Sequence, residues 1–210
     1  MNQMEKVWKA QYDKRATLDI PDHKKSFWTK EGQEQLLEVT LHLVKKIDGV
    51  KTILDVGCGP GLFCEQLSKK EYVVLGVDYS ENTVELAKQK YPYLNFMVAD
   101  GYNLPFQDKQ FDIVISIGAL QCIIEDEKFL KELIRVSSNA VIISTLLKKK
   151  KSKDPMRTLK EQLKADAFPC REYHPSEILP IFHKVGMKTS VITTHDKKEI
   201  MQGGFIVAKY

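Results

Sequence analysis

Ile53-Leu54-Asp55-Val56-Gly57-Cys58-Gly59-Pro60-Gly61 decides how this chain is read. The run from Thr52 to Val56 is short, apolar and stopped by glycines, which predicts a buried strand. Three glycines then alternate with Cys58 and Pro60. Without Cβ atoms the backbone can approach a ligand closely and reach positive φ. A helix is expected from about Leu62 to Lys69. A strand, a glycine turn and a helix in that order form the setting in which parallel sheets hold nucleotide-like ligands. Two readings of the turn compete. A dinucleotide loop asks for GxGxxG, but the sixth position here is Leu62, and Pro60 stands inside the turn. The glycines alone leave the choice open.

Outward from this turn, strands and helices alternate. Leu36, Leu37, Leu41, Val44 and Ile47 fall at helical spacing over Glu31 to Asp48. Further strands are predicted at Val73–Asp78, Phe96–Asp100, Phe111–Ile117 and Ala140–Thr145. Between them lie helices at 81–90, with Ser80 as N-cap, and around Phe129 to Val136. A helix from Pro175 to Val185, closed by Gly186, precedes two last strands near Lys188–Thr194 and Phe205–Lys209. This alternation predicts an α/β fold, a doubly wound, mostly parallel seven-stranded sheet with helices on both faces. Residues 1–30 read as an N-terminal arm of one or two short helices or as a flexible segment. Residues 31–210 read as the main domain.

Two acids resolve the glycine turn. Asp78 ends the second strand, 17 residues after Gly61. A carboxylate there can accept both ribose hydroxyl protons. Asp100 ends the third predicted strand and is followed by Gly101. It can accept from an adenine amine. Both sit at carboxyl ends of parallel strands, beside the crevice where such sheets bind ligands.

Composition fits a globular chain, with 43% apolar and 29% charged residues. The longest uncharged stretch beside a strand pattern, Ile113 to Ile124, is about a dozen residues, and a membrane-spanning helix needs ~20. Met1 to Ala10 shows no apolar export signal, so a cytoplasmic location is expected. Cys58, Cys64, Cys122 and Cys170 have no metal-ligand spacing, and reduced thiols are expected. The net charge is +4. Residues 148–210 hold 14 Lys/Arg against 7 Asp/Glu, with the excess centred on Lys148–Lys151 and Lys153. Such a run suits a solvated loop or an anionic partner.

From Thr52 to Thr145 the chain resembles the class I S-adenosylmethionine-dependent methyltransferases. Ile53 to Gly61 is similar to the family's first motif and Gly76-Val77-Asp78-Tyr79-Ser80 to its second. Ala99-Asp100-Gly101, with Leu104-Pro105-Phe106 and Phe111-Asp112, is similar to the third. Ser116-Ile117-Gly118-Ala119-Leu120 resembles the loop after the fourth strand. The resemblance implies S-adenosyl-L-methionine as cofactor, with S-adenosyl-L-homocysteine as product. It implies that Gly57, Gly59 and Gly61 pass beneath the methionine part and that Asp55 holds the amino group through water. Asp78 would take the ribose with Tyr79 beside the adenine, and Asp100 and Gly101 would read the adenine. Ser116 and Ile117 would line the donor pocket. The last strand, near 205–209, would run antiparallel.

The resemblance is nearly silent on the acceptor. No Asn/Asp-Pro-Pro-aromatic segment follows the fourth strand, where Ser116-Ile117-Gly118-Ala119 stands. No Pro-Cys nucleophile stands there either, since Pro169-Cys170 lies past the fifth strand. These departures favour a small-molecule acceptor over nucleic acid. An RNA or protein acceptor, or a non-catalytic cofactor-binding scaffold, stays as the alternative. The arm, with Tyr12, Arg15, Phe27 and Trp28, is a candidate lid. Removing residues 1–28 would then loosen acceptor selectivity more than cofactor binding. The segment 148–174, with Met156, Phe168, Tyr173 and His174, is a candidate acceptor-side insertion. His23, Tyr173 and His174 are candidate bases, more ordinary as surface groups. Gln121 and Cys122 fall where relatives carry a histidine, and a structural thiol is the simpler reading of Cys122.

Overall fold

The computed structural model describes residues 3–148, 170–194 and 202–210. Its elements in chain order are α1 (Gln3–Ala16), α2 (Asp22–Lys25), α3 (Lys30–Lys45), β1 (Thr52–Val56), α4 (Leu62–Ser68) and β2 (Val73–Asp78). Then come α5 (Glu81–Lys90), β3 (Asn95–Val98), β4 (Phe111–Ile117), α6 (Asp126–Val136) and β5 (Ser137–Leu147). The chain closes with α7 (Pro175–His183), β6 (Lys188–Thr194) and β7 (Gln202–Lys209).

Consecutive β1 residues Ile53 and Leu54 are both fully buried, yet they point to opposite faces of the sheet. Ile53 packs with Leu43 and Val44 of α3, Phe63 and Leu67 of α4 and Val84 of α5. Leu54 packs with Leu130 and Leu133 of α6 and Ile178 and Phe182 of α7. Burial on both faces is what a continuous apolar run dictates, and it requires helices on either side of the sheet. The strand order is β3-β2-β1-β4-β5-β7-β6. Strands β1 to β5 pair in parallel, and β7 runs antiparallel to both neighbours. The expected antiparallel strand therefore lies one place inside the edge, between β5 and β6. Between β1 and β4 the order reverses direction, which opens a crevice at their carboxyl ends.

Several strand boundaries differ from the expectation, and at β3 and β5 the pairing gives the reason. β3 stops at Val98, because its partner β2 ends at Asp78, the residue opposite. Ala99 N–H donates once more to the Asp78 carbonyl (3.0 Å), and Asp100 already lies in the following turn. At the other end, β5 begins at Ser137 rather than Ala140. Phe111 pairs with Ser137 across a register shift, so the polar Ser137-Ser138-Asn139 stretch is taken into the sheet.

The arm is helical. α1 rests on α5, and Trp8 is its deepest side chain at 3% exposure. Of the candidate insertion, residues 149–169, including Met156, Phe168 and the Lys149–Lys151 and Lys153 positions, lie outside the described residues. Among the described residues no helix is long and apolar enough to cross a membrane, and no cluster of three or more His, Cys, Asp or Glu could hold a metal ion.

Candidate functional site

At the carboxyl ends of β1, β2, β3 and β4 lies a cavity of about 540 Å³. Its floor is the glycine turn and the strand ends. Its roof is α1 and the α2–α3 junction, which contribute Glu5, Lys9, Tyr12, Ser26, Trp28 and Gln33.

Backbone geometry builds the floor. Gly57 has φ +79°, and a Cβ there would come within 2.8 Å of the Ala119 Cβ, so only glycine fits. The turn is tied to β2 by Gly57 and Cys58 N–H donating to the Val77 carbonyl at 2.8 and 3.0 Å. Asp78 completes the tie. Its Oδ2 accepts from Gly59 N–H and its Oδ1 from Ser80 N–H, both at 3.0 Å. Burial pushes its carboxyl above the ordinary value, and these backbone donors pull the other way. Asp100 repeats the pattern one strand over, where Oδ1 accepts from Tyr102 N–H at 2.9 Å.

Of the ten residues expected in the cofactor site, Gly57, Gly59, Asp78, Tyr79, Asp100, Gly101 and Ile117 line this cavity. The other three stand behind its wall. Asp55 is 1% exposed and accepts from the Cys64 thiol at 3.4 Å, and burial raises its carboxyl to about 7. Gly61 faces Phe96 and Tyr91, and Ser116 Oγ donates to the Val56 carbonyl at 2.8 Å. These three shape the turn and the strand ends rather than facing the cavity.

The roof is partly as expected. Tyr12 and Trp28 line the cavity, whereas Arg15 stacks 3.5 Å from the Phe27 ring centre, outside it. Trp28 lies edge-on to Phe63, with its ring against the bare Gly118 backbone at φ +74°. Cys122 lines the cavity beside Tyr12, so it is a wall residue rather than a core thiol. Burial raises both groups, which keeps phenol and thiol protonated at neutral pH.

The candidate bases lie elsewhere. Tyr173 is fully buried and donates to the Leu120 carbonyl at 3.1 Å, so it is a core residue and not a surface group. His174 caps α7, accepting from Ser176 N–H while its own N–H donates to Glu177 at 2.6 Å. His23 sits in α2, away from the cavity lining. Sequence reasoning missed Glu5, Lys9, Ser26 and Gln33, which carry no motif. Their helical spacing on a polar segment gave no sign of which face turns inward.

Comparison with known proteins gives the site its context. Residues 54–144 match a family model described as a methyltransferase domain. That match spans less than half of the chain. Over 92 residues the chain is 34% identical to a phthiotriol/phenolphthiotriol dimycocerosates methyltransferase of Mycobacterium tuberculosis. That match covers 42% of this chain and 34% of the relative, so the chain spans about a third of that protein's length. A ubiquinone/menaquinone biosynthesis C-methyltransferase of Campylobacter jejuni is 27% identical over 160 residues, covering 73% of this chain and 61% of the relative. Among solved structures, magnesium protoporphyrin IX methyltransferase of Synechocystis, crystallised with S-adenosylhomocysteine, superposes with a TM-score of 0.71 at 18% identity. That superposition covers 99% of each chain. It extends the likeness of fold beyond residues 54–144 to the arm and the last strands.

Proposed function

We propose that the protein transfers a methyl group from S-adenosyl-L-methionine to a small-molecule acceptor in the cytoplasm. One observation carries the reading. Asp78, at the end of β2, and Asp100, in the turn just past β3, face the same cavity as the bare backbone of Gly57 and Gly59. That set fits an adenosyl group. Asp78 Oδ1 and Oδ2 would accept from the ribose hydroxyls, Asp100 from the adenine amine, and Tyr79 and Ile117 would pack against the base. Gly57 and Gly59 leave room for the methionine part, with Asp55 and Ser116 holding the turn and strand ends from behind.

When bound, the cofactor supplies a methyl on a sulfonium, already activated for in-line displacement. The chain's own contribution is placement. Holding two reactants aligned is worth up to about 7–11 kcal/mol of barrier. Trp28 and Phe63 narrow the cavity beside Gly118. Tyr12 and Cys122, both held neutral, serve as hydrogen-bonding groups rather than as proton acceptors. An acceptor already nucleophilic at neutral pH fits this wall best.

The test is turnover. Purified protein with methyl-labelled S-adenosyl-L-methionine and a metabolite extract should yield a labelled small product. Label appearing in RNA or protein instead would redirect the acceptor assignment. Cofactor binding without any labelled product would favour the scaffold reading.

A further inference from the structure

Asp78 and Asp100 are held by the same local device. Asp78 Oδ1 accepts from the N–H of Ser80, two residues on, and Asp100 Oδ1 from the N–H of Tyr102, also two residues on. The hydroxyls of these two residues are in turn taken by carboxylates of α1. Ser80 Oγ donates to Asp13 Oδ1 at 2.6 Å, and Tyr102 Oη donates to Glu5 Oε1 at 2.7 Å. Asp13 and Glu5 stand eight positions apart, on about the same face of α1. One helix thus grips both acid turns at once.

Secondary ties surround each grip. At the first, Asn82 Nδ2 reaches the Asp13 carbonyl at 3.4 Å, Lys9 pairs with Asp13 at 2.9 Å, and Thr83 N–H donates to Ser80 Oγ at 3.1 Å. At the second, Ile124 and Glu125 N–H donate to Tyr102 Oη at 3.2 and 3.3 Å. Lower down, Asp22 pairs with Lys90 at the far end of α5. Lys25, 9% exposed, donates to the carbonyls of Arg15, Ala16 and Leu18, which holds the end of α1 in place.

We infer that Asp13–Ser80 and Glu5–Tyr102 are paired latches that couple docking of α1 to the placement of Asp78 and Asp100, the two acids of the nucleoside site. This rests on the functional reading above and deepens it. The arm acts on the cofactor end of the cavity, and Glu5, Asp13, Ser80 and Tyr102 are positioning residues. Linkage is reciprocal, so a docked α1 strengthens nucleoside binding and a bound nucleoside holds α1 down by the same factor.

The experiment pairs two readouts on the full chain, using S-adenosyl-L-homocysteine as probe. Calorimetry gives affinity, and limited proteolysis reports cleavage within residues 17–28 with and without probe. Glu5→Ala and Asp13→Ala should each weaken binding about 5-fold, the lower end of typical coupling, and the double variant by more than either. Probe should protect the wild-type arm from cleavage, and the double variant should lose that protection while its strands keep their thermal transition. Tyr102→Phe, which removes one hydroxyl, should reproduce the Glu5→Ala loss. Wild-type affinity in both variants, or an arm whose cleavage ignores the probe, overturns the latches. Failure of the wild-type chain to bind the probe at all overturns the functional reading instead.

Discussion

The floor and the roof of the cavity are made differently. The floor is strand ends and a glycine turn, fixed by backbone hydrogen bonds to β2 and by a sheet buried on both faces. The roof is a polar helix anchored by Trp8 and by Tyr12 and Arg15 packed on Phe27, with side-chain hydrogen bonds at the rim. The floor cannot move without breaking the sheet, while releasing the roof costs part-buried side-chain hydrogen bonds and the burial of Trp8. A site needing a rigid reader of the nucleoside and an exchangeable cover would be divided this way.

Breaking the floor should have the largest effect. Asp78→Ala removes the expected ribose acceptor and also frees Gly59 and Ser80 N–H. Hydrogen bonds to charged groups contribute about 1.5–3 kcal/mol each, so affinity for S-adenosyl-L-homocysteine should fall about 100-fold or more by calorimetry. An unchanged affinity would remove Asp78 from the site.

Removing the roof should cost less. Deletion of residues 1–28 should weaken cofactor affinity about 25-fold, the product of two roughly 5-fold couplings. This revises the sequence-based expectation that the arm acts mainly on acceptor choice. A truncated chain that binds cofactor as the full chain does, but accepts a wider range of acceptors, would restore it.

Asp55 sharpens the contrast from beneath the floor. Burial raises its carboxyl from an ordinary value near 4 to about 7. Between those values the folded chain holds more protons than the unfolded one, so stability falls as pH rises through that window. Asp55→Asn should flatten the fall, measured as a smaller difference in Tm between about pH 5 and about pH 8. Equal differences in the two proteins would show that Asp55 titrates normally.

Tyr12→Phe should have the smallest effect. It keeps the ring that lines the cavity and loses one hydroxyl beside Cys122, so affinity should change by about twofold, within the net worth of one hydrogen bond. A tenfold loss would make the Tyr12 hydroxyl a direct cofactor contact.

The floor was legible in the sequence because its chemistry is local. The glycine spacing, Asp78 after its strand and Asp100 before Gly101 each sit within a few residues of the structure they create. The parallel pairing within β1 to β5 is what alternation with helices implies, although it does not give their spatial order. The roof was not legible for the converse reason. Glu5 and Asp13 matter because α1 folds back onto residues 80 and 102, and no local pattern marks that return. Asp55 shows a subtler limit. The resemblance has it holding the cofactor's amino group through water, and nothing local says that it stands behind the wall with Cys64 as its donor. Tyr173 read as a surface group because its neighbours are polar, yet it is fully buried in one core cluster with Leu120 and Leu147.

The most direct test of the account is a crystal structure with S-adenosyl-L-homocysteine. The account predicts the ribose hydroxyls on the Asp78 carboxylate, the adenine amine beside Asp100 and the chain of the amino acid over Gly57 and Gly59. A nucleoside bound elsewhere, or a dinucleotide occupying the same cleft, would contradict it.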